Sequence, residues 1–185
     1  MKKLHTILGI LLLAATTLTL TGCNTEDDDI AYTLQGVWEG NMYMQSQDRY
    51  GHIYKATESL LQFDQDPCRY AQGTGRWIDY YSNAPWDYFA SYIDWRVINR
   101  EIQIYSRREA RTYYIHDYRL NGRRFSGYID DGQNQPVYFE LVKTSSPDWN
   151  DYDWGGYYYM NRQNTPAKAK QQAPEAPLRG IYRNQ

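Results

Sequence analysis

Residues 92–107 read YIDWRVINREIQIYSR, and their alternation of apolar and polar side chains indicates the fold class. In its first half Ile93, Trp95 and Val97 alternate with charged side chains, and the second half repeats the alternation. Apolar residues at every second position predict a strand with one face in a core. Because only residues 99–100 separate the two runs, the stretch predicts an antiparallel hairpin with a tight turn.

The same period of two recurs between residues 36 and 144, and no helical period competes with it. Six further strands are predicted, at 37–45, 57–64, 74–81, 113–120, 124–129 and 137–144. Asn121-Gly122 and Asp131-Gly132 favour hairpin turns between the last three. Eight sequential strands with mostly short connections predict an all-β fold, an eight-stranded antiparallel up-and-down barrel. A sandwich of the same strands is the structural alternative.

Composition favours the same class and excludes one kind of partner. The chain has 20 Tyr, 6 Trp and 4 Phe, which are residues enriched in strands. Its net charge is −2, and Glu109 interrupts the one basic cluster, at Arg107, Arg108 and Arg111. A nucleic-acid-binding protein would carry a basic face, so no nucleic acid is expected as a partner.

The N-terminus has the layout of a secretory signal peptide over residues 1–22. Lys2 and Lys3 precede an apolar run at 7–15 that is too short to cross a bilayer. The run leads to Leu20-Thr21-Gly22-Cys23, which resembles a bacterial lipobox. The resemblance implies cleavage before Cys23, lipidation of that cysteine, and a membrane as the chain's partner through the lipid.

An acidic stretch follows the cysteine, with four adjacent carboxylates at residues 26–29. Like charges repel and stay solvated, so residues 23–33 are predicted to be a flexible acidic tether. The run also resembles the export signal of Gram-negative bacteria that display lipoproteins on the cell surface. That resemblance implies a lipid-anchored outer-membrane protein exposed at the surface, and a periplasm-facing protein is the alternative.

Gly36-Val37-Trp38 opens the first strand and resembles the Gly-x-Trp signature of lipocalins. In that family the tryptophan closes the barrel floor beneath a basic residue of a late strand, a role that Arg119 or Arg124 would take here. The stretches 73–77, 117–120 and 125–127 likewise resemble small lipocalin-like lipoproteins. The resemblance covers about residues 34–144 of the predicted barrel domain, which spans residues 34–145. The chain lacks the paired cysteines of secreted lipocalins, so a barrel filled by its own aromatics stays open as an alternative.

The connection at 82–91 is apolar enough to pack over the end of the barrel, either as a plug or as a lid over a ligand. Stacking on flat rings suits a glycan, and the barrel interior suits a small apolar ligand. Packing without any ligand is the alternative. The candidate ligand-binding residues are Trp86, Tyr88, Tyr80, Tyr81 and Trp95.

The barrel pattern ends at residue 145, and two different segments follow. Residues 146–161 are rich in Trp and Tyr and are expected to fold back over the barrel or to meet a partner. From residue 162 to 185, Pro, Ala, Gln and Lys dominate without apolar periodicity, which predicts a disordered tail.

No motif indicates catalysis, a metal or a cofactor. His52 and His116 lack metal-ligand spacing, and Cys68 has no partner for an internal disulfide once Cys23 is lipidated. We therefore expect a membrane-anchored lipoprotein that is not an enzyme and binds a small apolar ligand or a glycan. The alternative is a non-catalytic structural or protein-interaction module of the envelope with a self-filled barrel.

Overall fold

The structure, a computed structural model, describes residues 25–133, 135–154 and 178–181. The predicted signal peptide and Cys23 lie outside the described residues, as does most of the predicted tail. The elements are α1 (Thr25–Leu34), β1 (Gly36–Asn41), β2 (Met44–Gln47), β3 (Ile53–Lys55), β4 (Glu58–Asp66), β5 (Arg69–Tyr80), β6 (Tyr88–Ile98), β7 (Glu101–Ser106), β8 (Arg111–Leu120), β9 (Arg124–Asp130), β10 (Val137–Thr144), a 3-10 helix (Trp149–Asp151) and β11 (Leu178–Ile181).

Eight strands form a closed barrel in the order β1-β10-β9-β8-β7-β6-β5-β4. Every neighbouring pair is antiparallel, and β1 closes the barrel by pairing with β4. These strands are the eight that the alternation predicts, so the barrel is confirmed and the sandwich alternative is wrong. The architecture is consistent with a lipocalin-like fold.

The first predicted strand, 37–45, is in fact two strands in two sheets. The chain leaves the barrel after Asn41, because Tyr43 adopts a left-handed φ of +53° and the Asn41 side chain accepts a hydrogen bond from its backbone N–H at 2.7 Å. The next residues form β2, which pairs with β3 and β11 in a separate three-stranded sheet.

Two of the predicted hairpin turns form by different means. Asn99 and Arg100 both have positive φ, +50° and +67°, as a primed two-residue turn requires. The Asn121-Gly122 turn lies where expected without positive φ at either residue. Instead the Asn121 side-chain oxygen accepts the backbone N–H groups of Arg123 and Arg124, each at 2.9 Å.

Most of the predicted flexible tether, residues 23–33, belongs instead to α1, which ends at Leu34. Its acidic residues lie in the first turn, where they interact favourably with the helix dipole. Asp27 is 5 % exposed, and its carboxylate accepts the backbone N–H groups of Asn99 and Arg100 at 3.0 and 2.8 Å. Ala31 and Leu34 are fully buried against the barrel. The helix thus covers one end of the barrel, which is called the floor below.

Trp38 lies at this floor and is fully buried. Its indole Nε1 donates to the Leu34 carbonyl at 2.6 Å, and Lys143 Nζ lies 5.1 Å from the ring centroid. Lys143 on β10 therefore takes the position that the sequence assigned to Arg119 or Arg124. A Cβ at Gly36 would lie 2.7 Å from Lys143 Cε, so the glycine makes room for the lysine.

The barrel interior is filled by the chain's own side chains from floor to mouth. Tryptophan, phenylalanine and aliphatic residues of all eight strands form one buried cluster with α1. At the mouth, the end opposite α1, the sheet β11-β2-β3 adds Met44 and Ile181 to that cluster. The largest interior aromatics include Trp38, Phe63, Trp77, Trp95, Tyr113, Phe125 and Phe139.

The strand β11 differs from the disordered tail expected over 162–185. Leu178–Ile181 pairs antiparallel with β2, with Arg179 opposite Ser46 and Ile181 opposite Met44. Arg179 and Ile181 point inward and are 2 % and 1 % exposed. A four-residue strand whose buried side chains include a charged arginine leaves almost no apolar period in the sequence, which is why the composition hid it.

Candidate functional site

The five predicted ligand-binding residues are not brought together at one site. Trp86 and Tyr81 lie at the mouth, Tyr80 and Tyr88 belong to the outer wall, and Trp95 lies in the interior toward the floor. Trp86, Tyr81, Tyr88 and Trp95 are at most 6 % exposed. Gly36 and Trp38, the predicted signature, do lie together at the floor.

At the mouth, Trp86 packs with other aromatic rings. Its ring centroid lies 5.2 Å from that of Tyr54 on β3 and 6.1 Å from that of Tyr81, both in edge-on geometry. Phe89 completes this cluster, in part of the 82–91 connection that forms the start of β6. The segment therefore packs between the barrel and the covering sheet.

On the outer wall, the first part of the predicted aromatic extension folds back over the barrel. Trp149, Tyr152 and Trp154 pack on the outward side chains of β1, β4, β5 and β6. The hydroxyl groups of Tyr80 and Tyr152 are hydrogen-bonded at 2.6 Å, and the Arg76 guanidinium lies 5.0 Å from the Trp149 ring and 5.6 Å from the Trp154 ring. Residues 155–161 of this extension lie outside the described part.

The most unusual group in the molecule is a buried arginine with two carboxylates and two aromatic rings. Arg179 Nε lies 2.8 Å from Asp79 Oδ2 and 2.9 Å from Glu109 Oε1. Its guanidinium carbon lies 4.5 Å from the ring centroids of both Trp77 and Phe89, which are cation–π contacts. The four residues Trp77, Asp79, Phe89 and Glu109 are called the arginine cage.

Hydrogen bonds hold the cage in place. Asp79 Oδ1 accepts from the Ser59 hydroxyl at 2.6 Å and from Trp77 Nε1 at 3.0 Å, so one carboxylate oxygen serves the barrel and the other the arginine. Arg179 Nη2 also donates to the Phe89 carbonyl at 3.3 Å. The cage is thus an oriented acceptor for a guanidinium group.

Burial dominates the electrostatics of the cage. It raises the pKa of Asp79 and of Glu109, while the Arg179 charge opposes the rise in both cases. The two carboxylates in turn raise the pKa of Arg179, although burial by itself lowers it. Two acids share one guanidinium here, which favours a cation in the cage over a neutral group.

Some buried polar atoms beside the cage have no hydrogen-bond partner among the described residues. They include Arg179 Nη1 and the Tyr113 hydroxyl. Burial raises the pKa of that hydroxyl, so Tyr113 is a neutral donor. The Tyr113 hydroxyl therefore adds a donor beside the cage that Arg179 does not use, and Arg179 Nη1 is a donor that the described residues do not accept.

Two open grooves lie on the outer surface. One, of about 660 Å³, runs across β4 to β8 and includes Trp95 and the 40 % exposed Tyr105 among mostly polar side chains. The other, of about 910 Å³, lies between α1 and the floor turns and is lined by acidic and basic residues such as Glu26, Asp117 and Arg119.

Among residues 25–133, 135–154 and 178–181, no group of three or more His, Cys, Asp or Glu side chains is placed to hold a metal ion. Within the same ranges, no helix has both the length and the apolar character needed to cross a membrane.

Sequence reasoning missed the cage, although part of its signal is readable. Asp79 shares the inward parity of Trp77 on β5, and a carboxylate on the inward face of a strand indicates a buried polar partner. Glu109 stands in the sequence among Arg107, Arg108 and Arg111, so nothing local marks it as buried. Arg179 was placed in the disordered tail, and its distance of 100 residues from Asp79 in the chain hides the ion pair.

The sequence and the structure were compared with known proteins. A scan against protein-family models found no match, and searches of curated proteins and of solved structures found none either.

Proposed function

We propose that this chain is a lipid-anchored, lipocalin-like lipoprotein of the bacterial envelope that is not an enzyme and acts by binding another protein. The observation that carries this proposal is the filled barrel: α1 covers the floor, the sheet β11-β2-β3 covers the mouth, and interior aromatics occupy the space between. A binder of a small apolar ligand needs a cavity inside or at the mouth. This barrel is packed with its own side chains at both places.

The anchoring part of the proposal is supported by the lipobox-like Leu20-Thr21-Gly22-Cys23. Thr25, the first residue of α1, lies two positions after the cysteine. Since α1 packs under the floor, a lipid on Cys23 would hold the floor near the membrane. The mouth, with β2, β3 and β11, would then face away from it, toward partners.

The non-catalytic part is supported by the position of Asp79 and Glu109, two acids whose pKa is raised by burial. Asp79 is fully buried, and the Glu109 side chain is 7 % exposed. A general acid or base must come within hydrogen-bond reach of a substrate. Both carboxylates are instead engaged by Arg179 within the folded chain.

Native mass spectrometry of the protein, extracted gently in detergent from its own host, tests the proposal. We expect the mass of the lipidated polypeptide, and in-cell crosslinking should give discrete complexes with another envelope protein. A co-purifying small molecule that is lost in Trp86→Ala would contradict it and favour a ligand-binding barrel.

A second candidate function is glycan binding on the outer wall, and the groove with Tyr105 favours it. An exposed ring beside hydroxyl and amide groups suits stacking and hydrogen bonding to a sugar. Glycan binding should then be lost in Tyr105→Ala and kept in Tyr138→Ala, which removes a comparably exposed tyrosine outside the groove. Equal binding by both variants would exclude the groove.

A further inference from the structure

We propose that the arginine cage is a recognition site for an extended, arginine-bearing segment of a partner protein, and that β11 is its resident, displaceable occupant. The inference deepens the proposed protein-binding function and rests on it. It names the ligand chemistry: a strand with an arginine followed two positions later by an aliphatic residue.

The chemistry of the cage suits a guanidinium better than any other side chain. Trp77 and Phe89 each contact the guanidinium at 4.5 Å, while Asp79 and Glu109 supply carboxylate oxygens within 3 Å of Nε. A planar, delocalised cation uses both kinds of contact at once. An ammonium group is a strongly hydrated point charge and would lose much of the ring contact.

The strand β11 is short and is held by few contacts. It has four residues, and within the described part of the chain it lies at the edge of its sheet, with β2 as its one strand neighbour. Two inward side chains, Arg179 and Ile181, fix it to the barrel. It is also separated from Trp154, the preceding described residue, by residues 155–177, so a long stretch of chain connects it to the barrel domain.

Departure of β11 would expose the edge of β2 and the empty arginine cage. The β2 backbone would become a free sheet edge, to which an extended peptide adds by main-chain hydrogen bonds. Ser46 and Met44 mark where the alternate side chains of that peptide enter, because they pair with Arg179 and Ile181. The β2 edge and the cage together would bind a strand that has an arginine and an aliphatic residue on the same face.

Competition within the chain makes the site selective. Because β11 belongs to the same chain, it competes with a partner segment at an effective concentration that does not fall on dilution, so that segment must be abundant or presented nearby to displace it. Removing the cis arginine should therefore strengthen binding in trans.

The test uses a fluorescein-labelled peptide with the sequence of residues 174–185 and the full chain in detergent. Anisotropy should show saturable binding to Arg179→Gln, about tenfold or more tighter than to the unchanged chain, in which β11 competes. A peptide with Arg179→Lys should bind about tenfold more weakly. The matched peptide with Arg183→Lys should bind as the parent does.

Since Arg179→Gln risks misfolding, its circular dichroism is recorded, and the unchanged chain is also titrated with peptide into the millimolar range. Saturable binding there, weakened by Asp79→Asn, supports the proposal even if the variant fails to fold. No saturable binding to either folded protein, or equal binding of the Arg179→Lys peptide, overturns it. Dimers that vanish in Arg179→Gln would assign the cage to a second copy of this chain and overturn the assignment to a partner protein.

These outcomes are separate from those that test the proposed function. Without peptide binding, crosslinks to an envelope protein through other surfaces would leave the protein-binding function standing and remove the cage from it. A small molecule in the native mass spectrum would remove the function itself.

Discussion

Replacement of Arg179 by alanine should destabilise the fold by about 3–5 kcal/mol, the usual effect of removing one partner from a buried ion pair. The arginine side chain is fully buried, and both of its carboxylate partners would stay buried without a counter-charge. For a protein of this size, 1 kcal/mol shifts the melting temperature by roughly 2–4 °C. The expected decrease is therefore about 6–20 °C.

The matched control is Arg107→Ala. Arg107 also forms an ion pair with an aspartate, Asp94, but the two side chains are 45 % and 44 % exposed. Exposed pairs contribute about 0–1 kcal/mol, so this variant should melt close to the unchanged protein. The contrast between the variants isolates burial as the cause.

The effect of Arg179→Ala should also depend on pH. Burial raises the pKa of Asp79 and Glu109, and Arg179 opposes that rise. Without the arginine the folded-state pKa values rise further, so the folded variant binds protons that the unfolded chain releases. A carboxyl group with a raised folded pKa favours folding below its unfolded pKa of about 4 and loses that contribution as pH rises through the folded value. The loss of stability should be smallest near pH 4 and largest at neutral pH.

Urea denaturation followed by tryptophan fluorescence, from pH 4 to pH 8, measures both effects. A loss of less than about 1 kcal/mol at neutral pH would place Arg179 in an exposed pair and refute the buried cage. A loss that grows as the pH falls would refute the assignment of the effect to buried carboxylates.

Three further predictions concern the rest of the fold. Trp86→Ala should lower the free energy of unfolding by about 3–5 kcal/mol because Trp86 is packed at the mouth. Trp86→Phe should cost less, because the buried Trp86 Nε1 has no hydrogen-bond partner among the described residues and phenylalanine therefore removes no bond. Chemical denaturation of both variants checks this. Gly73→Ala should destabilise the fold by about 1–3 kcal/mol or more, since a Cβ there would lie 1.9 Å from the Asp64 carbonyl oxygen. The control is Gly122→Ala, whose Cβ would meet no atom within 4 Å. Equal melting temperatures of the two variants would contradict the close approach of the strands. Asp27→Ala should cost about 1–3 kcal/mol by leaving the two floor-turn N–H groups without their acceptor, and hydrogen exchange at Asn99 and Arg100 should then accelerate.

The barrel was predictable from sequence because its information is local. Alternation such as that of Ile93, Trp95 and Val97 fixes which face of each strand is buried, and short connections fix antiparallel neighbours. Eight such strands can close into a barrel or form a sandwich, and the pairing of β1 with β4 shows that the barrel forms. The position of Trp38 at the floor was predictable too, although its basic partner, Lys143, was not.

The two covers of the barrel were not predictable, since each depends on a charged residue buried by a distant partner. Asp27 reads as part of a solvated acidic run until the Asn99-Arg100 turn supplies two N–H donors. Arg179 reads as part of a polar tail until Asp79 and Glu109 supply counter-charges. Neither pairing leaves a periodic signal in the sequence, so the charge of Asp27 and of Arg179 predicts exposure to solvent.

The candidate ligand-binding residues could not be assigned from the sequence either. Aromatic composition identified Trp86, Tyr81 and Trp95 as important, and they are buried as large core residues usually are. Composition does not distinguish a ring that faces a ligand from a ring that faces other rings. In the folded chain Trp86 faces Tyr54 and Tyr81.

Arginine side-chain NMR shows whether the chain's own Arg179 is buried at the mouth of the barrel. In a ¹⁵N-labelled sample, one Nε–H signal should exchange with solvent far more slowly than that of the exposed Arg107, and it should be absent from the spectrum of Arg179→Lys. If Arg179 Nε–H instead exchanges as fast as that of Arg107, the arginine lies in solvent, and the account of a self-filled barrel closed by β11 is wrong.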